Sequence, residues 1–139
     1  MIRRLFLLLL LPLLLQCERE GFNNNNPFLP NLRFSYDVNL NLPSNASLNF
    51  VGNGVYIPVA GVRGILVFNT GSGFSAYDAA CPNQPLDNCS TMTLSIPNAV
   101  CPCDQETYSL FTGLSNSGLP YPLKRYRVEV LGNIVRVFN

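Results

Sequence analysis

The sequence predicts an all-β fold, a small β-sandwich or barrel, within a chain of 139 residues. Three observations point there. Apolar and polar residues alternate at a spacing of two, 11 prolines and 10 glycines break the chain at short intervals, and no segment shows a helical apolar period. Nine Phe and six Tyr residues supply core bulk in the absence of Trp, so they read first as packing. Composition also excludes chemistry. Charged residues are 12% of the chain and the formal net charge is +1, which offers nucleic acid no basic field. Histidine is absent, so no imidazole serves a nucleophile or ligates zinc or haem. No catalytic residue, metal site or small-molecule substrate is expected, and the protein reads as a non-enzyme.

In chain order, residues 1–16 read as an export signal. Arg3 and Arg4 precede the apolar run Leu5 to Leu15, whose 11 residues are too few to span a bilayer. Leu14-Leu15-Gln16-Cys17 is similar to a bacterial lipobox, with Gln16 where a small residue is usual. On that reading Cys17 is the lipidated, palmitate-bearing end of a lipoprotein on an outer membrane, at its periplasmic or surface face. Loss of Arg3 and Arg4 with the signal leaves seven basic residues against eight acidic ones. Residues 17–30 are expected to form a flexible tether, because Glu18-Arg19-Glu20 and Asn23 to Pro27 bring few apolar side chains. Residues 31–139 then make one domain.

From Leu32 to Leu42 the apolar members Leu32, Phe34, Tyr36, Val38, Leu40 and Leu42 alternate with polar ones, which predicts a half-buried strand. Val55 to Val59, Gly64 to Asn69, Gly73 to Tyr77, Thr91 to Ile96 and Tyr108 to Leu110 are further strand-like runs bounded by Gly, Pro or Asn. Tyr126 to Phe138 reads as a hairpin turning at Gly132-Asn133. Lys124, Arg125 and Arg127 beside Glu129 read as a solvated basic group, and Asp104 with Glu106 as carboxylates without a pocket.

Four cysteines follow Cys17, at 81, 89, 101 and 103, with 7, 11 and 1 residues between them. In an exported chain they read first as disulfides, since that compartment is oxidising. A zinc site would be expected to show Cys-x-x-Cys knuckles, which this spacing lacks. A redox-active dithiol would want two residues between Cys101 and Cys103 and a helix N-terminus beside them.

Gly73-Phe74-Ser75-Ala76-Tyr77-Asp78-Ala79-Ala80-Cys81-Pro82, then Cys101-Pro102-Cys103-Asp104, Thr112-Gly113, Pro122-Leu123 and Tyr126-Arg127-Val128 together resemble the Rieske iron-sulfur family. The resemblance runs from about Val55 to the end of the chain. It implies two loops, a Cys-x-His box and a Cys-x-x-His box, that hold a 2Fe-2S cluster between them, with one extra cysteine per loop forming a disulfide in some members. This chain departs from the family at both histidines, where it has Asn83 and Asp104. A carboxamide does not deprotonate, and a carboxylate is a hard donor poorly matched to that iron.

The resemblance therefore implies a degenerate, cofactor-free member whose cysteines pair as Cys81 with Cys101 and Cys89 with Cys103. The alternative it leaves is an electron-transfer Rieske-type ferredoxin with atypical ligands around a cluster. In intact members the tip formed by the two boxes meets redox partners, so a protein-binding or structural subunit of an envelope complex is implied here. By analogy, a secretion translocon such as the type IX machinery would suit such a subunit. The expected partners are thus the membrane, through the lipid, and a protein.

Overall fold

The computed structural model describes residues 24–139; residues 1–16, expected to be an export signal, and Cys17 lie outside the described residues. Nine strands are found there: β1 (Ser35–Asn39), β2 (Gly54–Ile57), β3 (Ile65–Asn69), β4 (Phe74–Asp78), β5 (Thr93–Ser95), β6 (Asn98–Val100), β7 (Thr107–Ser109), β8 (Arg125–Leu131) and β9 (Ile134–Phe138). They form a curled six-stranded sheet, β1-β9-β8-β4-β3-β2, and a three-stranded sheet, β5-β6-β7. All the strand pairs are antiparallel.

The run Ile65-Leu66-Val67-Phe68 in β3 does not alternate because both faces of the large sheet are covered there. Ile65 and Val67 join Val38, Val55, Ile57, Ala76, Tyr126 and Val137 in one core. Leu66 and Phe68 join Tyr77, Ala99, Tyr108, Leu110 and the half-cystines Cys81 and Cys101 in the other, between the two sheets. Each buried Val, Leu, Ile or Phe among them contributes on the order of 1.5–3 kcal/mol by leaving water.

β1 is shorter than its alternation suggests. Val38 is buried and Phe34, Tyr36 and Leu40 pack on the first core, but Leu32 and Leu42 are 41% and 50% exposed. The pattern outruns the sheet because Asn39 Oδ1 accepts Asn41 N at 2.9 Å, turning the chain into a 3-10 helix, Pro43–Asn49. That helix escapes a search for a 3.6-residue period, since it has three residues per turn and is short. β6 was also not expected; Pro97 and Pro102 leave only four residues between them, Asn98 to Cys101, yet β6 is the central strand of the small sheet. The β8-β9 hairpin turns where expected, with Leu131 paired to Ile134 and Gly132 at φ 60°.

Two expectations are corrected. Residues 24–30 do not hang free. Asn24 exchanges hydrogen bonds with the backbone of Arg125 (2.7 and 3.1 Å), Asn26 Nδ2 donates to Pro82 O at 2.8 Å, Phe28 meets Tyr121 edge to face at 6.0 Å, and Leu29 is 4% exposed. Asparagine amides reproduce backbone pairing, so a segment poor in apolar residues docks by hydrogen bonds. Lys124, read as part of a solvated group, is 2% exposed and its Nζ donates to Asn31 Oδ1 at 2.5 Å. Burial holds its pKa below the usual lysine value, against the opposing pull of the Asp78 charge.

Candidate functional site at the cysteine tip

β4 belongs to the large sheet and β6 to the small one, and each delivers a cysteine at its C-terminal end. Asp78, the last residue of β4, is fully buried and sets the direction of exit. Its carboxylate accepts from Val62 N (2.5 Å), Tyr126 Oη (2.6 Å), Ala80 N (2.7 Å) and Arg63 N (3.3 Å). The loop carrying Val62 comes that close because Gly61, at φ 75°, has no Cβ; one would sit 2.6 Å from Asp78 Oδ2. Beyond Asp78, Cys81 N donates to Ser90 O and Ala80 bridges Thr91, which closes the first loop. Sequence reasoning did not single out Asp78. Its signal was present, as one acid between aromatic and small apolar residues in Ala76-Tyr77-Asp78-Ala79-Ala80.

The second loop is a tight turn. Gln105 N donates to Cys101 O, Cys101 N donates to Glu106 O, and Gln105 adopts φ 63°, rare for a non-glycine residue. Asp104 Oδ1 accepts Glu106 N at 3.0 Å, so this carboxylate is spent on its own turn. Glu106 accepts the hydroxyls of Ser115 (2.6 Å) and Ser117 (2.7 Å), and these bonds hold its carboxyl below the usual range. The two acids therefore act as turn fasteners.

The structure bonds Cys81 to Cys101 and Cys89 to Cys103, with Cα atoms 5.6 and 5.1 Å apart. These are the pairs that the resemblance implies. The inner bridge is 1% and 0% exposed at its two residues and ties the large sheet to the small one. Cys89 is exposed and Cys103 half-buried. Asn83, in the first loop, faces the segment before Leu123. Its Nδ2 donates to Tyr108 Oη (2.9 Å) and Tyr121 O (2.7 Å), and its Oδ1 accepts Tyr121 N (3.0 Å).

Two cysteine loops meeting where two antiparallel sheets end is the layout that the sequence resemblance implies. The fold is Rieske-like. A 2Fe-2S cluster in such a fold takes two thiolates on one iron and two imidazoles on the other. The residues here do not fit it. Both family thiols are engaged in one bridge, the amide at the first imidazole position is committed to Tyr108 and Tyr121, and the carboxylate at the second is committed to its own loop.

No family model matches the chain, and no curated protein matches it. Among solved structures, the chain is similar to the complex of reduced oxygenase and oxidized ferredoxin in carbazole 1,9a-dioxygenase. The identity there is 24%, over 63% of this chain and 82% of that one, with a TM-score of 0.46. It is also similar to the ferredoxin of carbazole 1,9a-dioxygenase from Nocardioides aromaticivorans IC177, at 21% identity over 66% and 90% of the two chains and a TM-score of 0.44. The E. coli protein NirD shares 13% identity over 78% and 98%, with a TM-score of 0.47. The likeness is one of fold.

Proposed function

We propose that this chain is a non-catalytic lipoprotein, anchored through Cys17 to an outer membrane, whose Rieske-like domain works without a cluster as a protein-binding and structural subunit of an envelope complex. The observation that supports this reading best is Asn83. In the position where a cluster would need a free nitrogen donor, its amide makes three hydrogen bonds that sew the first loop to the rest of the tip. Together with two bridges, this makes a rigid surface, and a surface that is already ordered loses little entropy when it binds.

The anchor adds a geometric limit. Seven residue steps separate Cys17 from Asn24, which at full extension span no more than about 25 Å. Asn24 and Asn26 are fastened beside the tip, to Arg125 and Pro82. A lipid on Cys17 thus keeps this end of the domain close to the bilayer, and a partner docked on it is itself membrane-proximal. By analogy alone, a secretion translocon such as the type IX machinery is an assembly of that kind.

Two experiments test the reading. Protein purified anaerobically should carry neither iron nor inorganic sulfide in stoichiometric amount; a full complement with a visible spectrum would instead favour an electron-transfer ferredoxin with atypical ligands. Affinity purification from native membranes in mild detergent should bring down a stoichiometric companion. Cys17→Ser should abolish both that capture and incorporation of a palmitate analogue. An unlabelled wild-type chain that purifies alone would overturn the proposal.

A further inference from the structure

The two bridges differ in how a reductant can reach them. Cys89 is exposed and Cys103 half-buried, whereas Cys81 and Cys101 are 1% and 0% exposed. Thiol-disulfide exchange requires a thiolate to reach a bridge sulfur, so a dissolved or protein dithiol meets the outer bridge and not the inner one. Cys103 nevertheless belongs to both environments. The sulfurs of Cys81, Cys101 and Cys103 all lie within 4.8 Å of one another. Ser90, fully buried, has its hydroxyl 4.0 Å from Cys103 Sγ, and its carbonyl accepts Cys81 N, so one residue touches both bridges.

We propose that the tip is a two-step disulfide relay, in which Cys103 passes reduction of the exposed Cys89-Cys103 bridge on to the buried Cys81-Cys101 bridge. In the first step one sulfur of a dithiol reductant attacks Cys89 Sγ, forming a mixed disulfide and expelling Cys103 as a thiolate. The second thiol of the reductant then displaces Cys89 and the reductant departs as its own disulfide. Two electrons and two protons have passed to the outer pair. In the second step Cys103 Sγ attacks Cys81 Sγ; the Cys81-Cys103 bond forms as the Cys81-Cys101 bond breaks. The proton given up by Cys103 ends on Cys101, and this exchange is redox-neutral. Cys81 is the target because Pro102 alone separates Cys101 from Cys103, so a bridge between those two would close a very small ring. The product still joins the two loops, but through a different pair, so a reducing partner rearranges the tip without untying it.

The relay requires both bridges to be formed, and the experiment separates that premise from the relay. Full-length protein in mild detergent is sampled before and after a limiting dose of dithiothreitol, quenched with acid and labelled with N-ethylmaleimide in denaturant so that buried thiols also react, and labels and linked peptides are mapped by mass spectrometry. Labelling of the four domain cysteines before reductant would overturn the premise. With reductant, label is expected on Cys89 and Cys101 together with a Cys81-Cys103 linked peptide. Label confined to Cys89 and Cys103, with Cys81-Cys101 intact at long times, would overturn the relay. Cys89→Ser leaves Cys103 without its partner and should show the Cys81-Cys103 link with no reductant at all. In Cys103→Ser the inner bridge should be reduced at least about tenfold more slowly than in wild type. Circular dichroism checks that both variants fold, and an unchanged rate in a folded Cys103→Ser would refute the proposal.

Discussion

At the scale of single residues, buried polar groups carry the clearest consequences. Asp78→Ala removes an acceptor shared by four donors, two of them the buried Ala80 N and Tyr126 Oη. Urea unfolding should show a loss of about 3 kcal/mol or more, and Tyr126→Phe a smaller loss of about 1–3 kcal/mol. Asn83→Leu should cost about 1–3 kcal/mol by leaving Tyr108 Oη and the Tyr121 backbone without their partners. Tyr77 tests the opposite case. Among the described residues its buried hydroxyl has no hydrogen-bond partner, so Tyr77→Phe should leave the melting temperature unchanged or raise it. Burial pushes the phenols of Tyr77 and Tyr108 upward, and burial with the adjoining Asp78 carboxylate pushes Tyr126 further. A folded pKa raised above the unfolded value of 10.0 means stability that is intact below that pH and lost above it, where only the unfolded chain releases the protons. In an ultraviolet titration these three tyrosines should ionise together with unfolding; phenolate signal from all six before any loss of circular dichroism would contradict this.

At the scale of elements, the sheets were legible wherever one rule decided the outcome. The alternation from Phe34 to Leu40, the apolar run of β3 and the Gly132 turn are each visible in the residues, because side-chain period and turn chemistry are local. β6 was not, since so short a strand between prolines has no period to read; its pairing with β5 and β7 makes it a strand. The arm at residues 24–30 was misread for a related reason, as its hydrogen-bond partners lie far away in sequence. Leu29→Ala should therefore cost about 2–4 kcal/mol in thermal or urea unfolding, where a free tether would show no change. Replacing Cys89 and Cys103 together by Ser opens a bridge across a separation of 14 residues, for an expected loss of about 3 kcal/mol in the chain-entropy model.

At the scale of the whole molecule, the inner bridge is a covalent tie between two sheets that also share an apolar core. That tie lets the two loops act as one surface. With nine basic and eight acidic residues, or seven and eight on the proposed loss of residues 1–16, the chain has almost no net field to steer a partner. Association at the tip should then rest on shape and apolar contact, so the companion captured from membranes should persist when salt is raised. Its release by moderate salt would point to a charged interface and away from this account.

The sequence by itself determined the fold class, the sites of the strands with a clear period, the two cysteine loops and the loss of both imidazoles, because these follow from residue type and local spacing. Only the tertiary structure decided how Asn83 is used, why Asp78 is buried, and where the arm lies. It also placed Cys103 beside a bridge to which it does not belong. Each of those depends on groups distant in the chain being brought within hydrogen-bonding or bonding reach, and no local pattern encodes such a meeting.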